Sequence, residues 1–173
     1  MAAQKSSMPY RRAVGMLLFN HDGLAWVGRR VPKWEGDGGQ HLWQMPQGGI
    51  DKGESPRDAA LRELDEEIGT RRVEILAESK QWLSYDLPAE ALGVAFKGKY
   101  RGQTLKWFAM RFEGSDADFD ISERKGHKVE FDAWRWVALD QLPELVVPFK
   151  RAVYEAVVEE FGSLAVSAAG DTA

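Results

Sequence analysis

Short apolar and alternating stretches along the chain predict a set of β-strands. Residues 13–19 are strongly apolar, and the turn at 20–23 ends in the Asp-Gly pair that favours a hairpin, which predicts a return strand at 24–30. Residues 104–112 alternate between two faces. Further strands are predicted at 73–76, 81–88 and 133–139, and a short strand at the end of a loop at 31–40 that lacks any periodicity.

Two segments have the period of an α-helix. The first begins at Ser55, a favourable N-cap followed by Pro56 and, at the capping-box position, Asp58, and it ends at Gly69. The second, at 149–161, has a continuous apolar face. Strands and helices that alternate without repeat or linker predict one α/β domain with a mixed sheet at 10–161, between a disordered N-terminus at 1–9 and a flexible tail at 162–173.

The first predicted helix has one apolar face and one acidic face. Glu63, Glu66 and Glu67 share an arc of about a third of the circle at ~100° per residue. A solvated surface is the simplest explanation for such a face, but only Arg62 is near enough to neutralise it. Like charges four residues apart cost roughly 0.2–0.5 kcal/mol per pair, and a divalent cation would reverse that sign. Mg²⁺ and Mn²⁺ prefer carboxylate oxygens, so the face suits a metal held against a pyrophosphate.

Composition excludes several classes of protein. The chain has 173 residues, 44% apolar and 29% charged, with a net charge of −4 and no cysteine. There is no overall basic character to indicate extended nucleic-acid binding, so any RNA contact would be local. No apolar run reaches the ~18 residues of a membrane span, and no signal peptide is evident. These features predict a cytoplasmic protein without a membrane partner, and they give no indication of an oligomeric partner.

The glycine-rich loop and the acidic helix together resemble the Nudix box, G-x5-E-x7-R-E-U-x-E-E-x-G-U, where U is aliphatic. The matching positions are Gly48, Glu54, Arg62, Glu63, Leu64, Glu66, Glu67 and Gly69, with Thr70 as the one departure. The resemblance implies a Nudix fold, a mixed sheet between helices, and a hydrolase that uses Mg²⁺ or Mn²⁺.

The same resemblance implies roles for the box residues. Glu63, Glu66 and Glu67 would be metal ligands, and one of them would also activate water. A backbone carbonyl at Gln47 or Gly48 would complete the metal shell. Glu54 would form an ion pair with Arg62 that joins the loop to the helix.

Segments outside the box resemble bacterial RNA 5′-pyrophosphohydrolases and the related asymmetric dinucleoside tetraphosphate hydrolases, over about residues 10–161. They include WQMPQGG at 43–49, WLSYDLP at 82–88 and EFDAWRWV at 130–137. The implied reaction removes pyrophosphate from triphosphorylated RNA, with hydrolysis of diadenosine tetraphosphate to ATP and AMP as the alternative. The loop at 31–40 looks longer than in those relatives.

The resemblance assigns further residues to the substrate and the metal. Glu130 would be an additional metal ligand, although by itself it reads as an exposed carboxylate before a strand. Residues implied for substrate binding are Arg11, Arg30 and Lys106 at the phosphates, Phe149 and Val147 at the first base, and Tyr85. Taken alone, Phe149 fits the core equally well. A Nudix-fold module that binds a nucleotide without turnover is a different class, but it would have no reason to keep a self-repelling carboxylate set.

Overall fold

The computed structural model describes residues 5, 7–124 and 126–170. Part of the predicted disordered segment 1–9 lies outside these residues, while Lys5 donates a hydrogen bond from Nζ to the carbonyl of Leu87 at 3.0 Å. An eight-stranded mixed sheet forms the centre of the molecule. Its strands are β1 (Tyr10–Phe19), β2 (Ala25–Arg30), β3 (Trp43–Gln44), β4 (Gln47–Gly49), β5 (Val73–Glu78), β6 (Leu83–Asp86), β7 (Gly102–Phe112) and β8 (Phe131–Val137).

Strands β1 and β7 are the centre of the sheet. They pair in parallel over their whole length, from Tyr10 opposite Gly102 to Phe19 opposite Arg111. Antiparallel partners extend the sheet on both sides, β5 and β6 on β7 and β2 and β4 on β1. Strand β2 also pairs with β3 and β8. The short strand β4, which carries the start of the box, is therefore fixed directly against the central strand.

Both faces of the central strands are buried. On β1, Ala13, Leu17 and Phe19 contribute to one hydrophobic cluster, and Val14 and Met16 to the other. A period of two with apolar residues at every position buries the strand on both sides. The sheet is therefore covered by helices on its two faces, which confirms the predicted α/β sandwich.

The box helix, α1 (Pro56–Ile68), has the ends that the sequence predicts. The Ser55 hydroxyl accepts a hydrogen bond from the Asp58 N–H at 3.1 Å, and Pro56 occupies the first turn. Gly69 ends the helix at φ +79°, a left-handed conformation that glycine adopts without strain. Leu64 and Ile68 are fully buried against the sheet, so the opposite face presents the glutamates.

The C-terminal helix is longer than predicted. After the short helix α2 (Leu142–Leu145) and a 3₁₀ turn, Pro148–Lys150, helix α3 runs from Arg151 to Gly170, whereas the sequence predicted an end at residue 161. The extension is rich in alanine, a strong helix former, and Leu164 and Ala165 pack on the core. Residues 171–173 of the predicted tail lie outside the described residues.

The loop at 114–124 contributes an aromatic side chain to the edge of the core. The ring of Phe119 stacks on Phe112 at 4.5 Å between centroids and meets Trp134 edge-on at 4.8 Å. The loop also has a 3₁₀ turn, Asp116–Asp118.

No helix in the described part of the chain has the length and apolar character needed to cross a bilayer.

Candidate active site

The start of the box brings the backbone of β4 against the acidic face of α1. A Cβ atom on Gly48 would lie 2.0 Å from Cδ of Glu63, and one on Gly49 would lie 2.2 Å from Nη2 of Arg11. With Glu63 and Arg11 in these positions, neither place has room for a Cβ atom, so glycine at both positions permits the close approach. The two glycines allow a carboxylate and a guanidinium to sit directly on the same strand.

Arg62 joins the loop to the helix. Its Nε and Nη2 donate to the two carboxylate oxygens of Glu54 at 2.8 Å each, and Nη2 also donates to the Gly49 carbonyl at 2.9 Å. This bidentate pair confirms the predicted ion pair, and it holds the pKa of Glu54 at about 2. Nη1 of Arg62 donates to Glu63 at 2.9 Å and to Glu66 at 3.2 Å. One guanidinium therefore orients three carboxylates.

Two of the box glutamates are strained electrostatically. Burial raises the pKa of Glu63 to about 7, against the opposing effect of Arg62. Burial also raises the pKa of Glu67 well above its usual value, and the charges of Glu130 and Glu63 raise it further. The hydrogen bond that Glu67 accepts from the Gln47 N–H is long, at 3.3 Å. Positive charge near these carboxylates would be strongly favourable.

The donor types fit a hard divalent cation, although the ligands are not arranged as a closed shell. Glu130 is close enough for its charge to act on Glu67, so the structure brings it to the box, where it pairs with Lys33 at 3.1 Å. Carboxylate and carbonyl oxygens are the ligands that Mg²⁺ and Mn²⁺ prefer. Within the described residues, no three Asp, Glu or His side chains converge as a preformed metal site. The ligand set remains a prediction.

A cavity of about 200 Å³ lies beside the box. Gln47, Glu130, Tyr85 and Phe149 are among its lining residues, so it connects the acidic face to the predicted base site. Tyr85 is buried and donates its hydroxyl hydrogen to Gln103, while its ring lies 5.5 Å from that of Phe149. Val147 lines an adjoining cavity together with Phe149. Phe149 is half-buried and packs on the core, and its contact with a base stays a prediction.

The three predicted phosphate-binding cations occupy different environments. Arg11 lies on Gly49 with its positive charge acting on Glu63. Arg30 lines the cavity, but its two terminal nitrogens form a buried bidentate pair with Asp37. Lys106 does not line the cavity; its Nζ lies 3.9 Å from Glu78. Arg11 is therefore close to the box glutamates, while Arg30 and Lys106 lie beside Asp37 and Glu78.

Two buried charged residues in the cavity wall were not predicted. Asp37, from the 31–40 loop, has a side chain only 1% exposed and also accepts a hydrogen bond from the Lys33 N–H at 2.8 Å. Lys150 is buried, with Nζ 3.2 Å from the Gln44 side-chain oxygen, and burial lowers its pKa to about 7. Lys150 directly follows Phe149, which was a usable signal. Nothing in the aperiodic 31–40 loop singled out Asp37.

Comparisons with known proteins identify the family of the chain. The family model described as "NUDIX domain" matches residues 9–157. The RNA pyrophosphohydrolase of Agrobacterium fabrum is 52% identical over 167 residues, which cover 95% of this chain and 98% of that protein. The RNA pyrophosphohydrolase of Brucella abortus is 56% identical over 162 residues, 92% of this chain and 91% of that protein.

Solved structures are similar in fold. A Caenorhabditis elegans Ap4A hydrolase complex has a TM-score of 0.63 at 18% identity, covering 91% of this chain and 98% of that one. The Escherichia coli dihydroneopterin triphosphate pyrophosphohydrolase has a TM-score of 0.60 at 15% identity, covering 87% and 99%.

Proposed function

The chain belongs to the Nudix hydrolase family, and from that premise we propose that it removes pyrophosphate from the 5′ end of triphosphorylated RNA, leaving a 5′-monophosphate. The choice of RNA as the substrate is supported by two relatives that are named RNA pyrophosphohydrolases. They are 52% and 56% identical to this chain over nearly its whole length. Transcripts begin with a 5′-triphosphate, so the proposal implies an enzyme that works in the cytoplasm.

Family members generally need a divalent metal ion, and we propose Mg²⁺ or Mn²⁺ for this chain. Glu63, Glu66, Glu67, Glu130 and the Gln47 carbonyl would hold it. The ion, when bound, supplies positive charge against the phosphate oxygens. The raised pKa values of Glu63 and Glu67 support this assignment, because a nearby cation relieves the cost of ionising buried carboxylates.

The residues around the box suggest how the RNA end would be oriented. Arg11 would donate hydrogen bonds to the phosphates, and its position beside the carboxylates where the pyrophosphate would be held supports this role. The Phe149 ring, at the wall of both cavities, offers a face for the first base with Val147 beside it. Arg62 keeps the carboxylates in register by bonding Glu54, Glu63 and Glu66 together.

A side-by-side assay tests the substrate. Triphosphate-ended RNA and diadenosine tetraphosphate are offered separately to the wild-type protein with Mg²⁺ and with Mn²⁺, and kcat/KM is measured for each. We expect RNA to be the better substrate by about tenfold or more, a difference of about 1.4 kcal/mol in transition-state binding. A preference of similar size for the dinucleotide would overturn the RNA proposal in favour of the dinucleoside tetraphosphate alternative.

A further inference from the structure

Two residues of the loop before β7 have a backbone conformation that side chains rarely adopt. Phe96 (φ 54°, ψ 37°) and Lys97 (φ 58°, ψ 26°) are the only non-glycine residues with positive φ in the described part of the chain. Such a backbone conformation is strained for a residue with a side chain, and conformations of this kind concentrate at ligand-binding sites. The neighbouring Gly93 and Gly98 adopt positive φ without that strain. Of the two strained residues, Phe96 is the one that matters for the site, because its ring lines the cavity beside the box.

The ring of Phe96 holds the guanidinium of Arg11. Cζ of Arg11 lies 5.0 Å from the ring centroid, within the range of a cation–π contact. The same guanidinium touches Gly49 closely enough that a Cβ there would lie 2.7 Å from Cζ. Phe96 also lines the cavity beside the box. Arg11 is thus fixed by an aromatic face and a backbone surface.

This way of holding a cation leaves its N–H groups available. The guanidinium N–H groups of Arg62 and Arg30 donate hydrogen bonds to carboxylates of the protein. Among the described residues, by contrast, Arg11 has no hydrogen bond or close ion pair from its guanidinium. A cation–π contact uses the ring face and no donor, so the planar fork of Arg11 stays ready for a bidentate partner such as a phosphate.

We propose that Phe96 is a positioning residue that holds Arg11 beside the box glutamates, with its donors free for the terminal phosphates of the substrate. The identity of those phosphates rests on the proposed function. The positioning of Arg11 by Phe96 rests on three observations: the strained backbone of Phe96, the contact of its ring with the guanidinium, and the guanidinium N–H groups that make no hydrogen bond among the described residues. Phe96 touches Arg11, and through Arg11 it sets the affinity for the phosphate chain.

The competing explanation is that Phe96 merely packs. Its ring is half-buried on the larger core cluster and lies edge-on to Tyr100 at 6.4 Å. Leucine at residue 96 would keep most of that apolar contact but lose the aromatic face. Tyrosine would keep the face. The two substitutions therefore separate packing from the cation–π contact.

The experiment compares Phe96→Leu, Phe96→Tyr and the control Lys97→Gly, which relieves the adjacent strain without altering the ring. For triphosphate-ended RNA, we expect Phe96→Leu to raise KM about tenfold with kcat within about twofold, an effect in the range of one cation–π contact. Phe96→Tyr should retain the wild-type KM. Lys97→Gly should keep KM and melt at an equal or higher temperature. An unchanged KM in Phe96→Leu, or equal KM increases in the leucine and tyrosine variants, would overturn the proposal.

A mutant cycle tests whether the effect passes through Arg11. If it does, Phe96→Leu combined with Arg11→Ala should bind no more than about twofold worse than Arg11→Ala alone, because the two residues act as one unit. Full multiplication of the two losses would contradict positioning. The four affinities of this cycle can be measured by calorimetry with inorganic triphosphate as the ligand, which requires neither RNA nor turnover. If the protein does not hydrolyse triphosphate-ended RNA but the cycle with inorganic triphosphate gives the expected result, the proposed substrate is wrong and the role of Phe96 stands.

A measurement on the wild-type protein covers the case in which Phe96→Leu does not fold. A guanidinium over an aromatic face feels its ring current, so the Arg11 Nε–H proton should resonate upfield of the other arginines, with the assignment made from Arg11→Lys. A signal at the usual position would show that the ring does not hold Arg11, and would overturn the proposal.

Discussion

Phe149 is predicted to have two physical roles, packing on the core and stacking the first base. It is half-buried on the core, 5.5 Å from the Tyr85 ring, and it lines both cavities. We expect Phe149→Ala to weaken RNA binding by about 1–3 kcal/mol through lost stacking. The melting temperature should also fall, by less than the loss of a fully buried phenylalanine would cause. The measurements are the melting temperature and the kinetics on RNA and on a pyrophosphate ester that lacks a base.

A matched control for this variant is Val158→Ala, because Val158 packs on the same cluster without lining either cavity. If both variants lose stability and lose activity equally on both substrates, Phe149 belongs to the core and does not stack a base.

Glu63 predicts a pH dependence in the metal-free protein. Its pKa is about 7 when folded and near 4.5 when unfolded, so ionisation costs the folded state. The stability it contributes is present below about pH 4.5 and is lost as the pH rises towards 7. With a chelator present, the melting temperature of the wild type should therefore fall more between pH 5 and pH 7.5 than that of Glu63→Gln. Parallel curves for the two proteins would contradict the raised pKa.

At the scale of elements, the box loop and helix were predictable because their signals are local. Ser55, Pro56 and Gly69 fix the ends of α1 within the sequence itself, and the period of 3.6 separates its buried and acidic faces. The 31–40 loop lacks such signals. Its position depends on the pairing of Asp37 with Arg30, which no periodicity encodes. For the same reason the prediction that Arg30 binds phosphate did not anticipate a protein carboxylate on its terminal nitrogens.

The Asp37–Arg30 pair predicts how the 31–40 loop is anchored. Both side chains are almost fully buried, so Asp37→Asn leaves an uncompensated guanidinium, and breaking such a pair typically costs about 3–5 kcal/mol. We expect a clearly lower melting temperature and faster amide exchange in the loop. Glu35→Gln, an exposed carboxylate of the same loop, is the control and should change neither. Equal melting temperatures for the two variants would show that the pair does not anchor the loop.

At the scale of the whole molecule, the sheet brings distant segments to one place. The parallel pairing of β1 with β7 and the antiparallel pairing of β1 with β4 set Arg11, Gln47 and Gln103 on adjacent strands. The sequence predicted these strands but not their order, since long-range pairing leaves no local pattern. The resemblance to the Nudix box supplied the architecture, and the structure and the family match confirm it.

The box glutamates are predicted to hold the metal with which this Nudix fold removes pyrophosphate from RNA, and removal of one carboxylate charge tests that role. Wild type and Glu67→Gln are incubated with triphosphate-ended RNA and saturating Mg²⁺ or Mn²⁺, and the 5′-monophosphate RNA and released pyrophosphate are quantified. The wild type should form both products in equal amounts. Glu67→Gln should lose about two or more orders of magnitude in kcat while melting at the same or a higher temperature, because a repelling charge is removed. Full activity in a folded Glu67→Gln protein, or no monophosphate RNA from the wild type, would contradict the account.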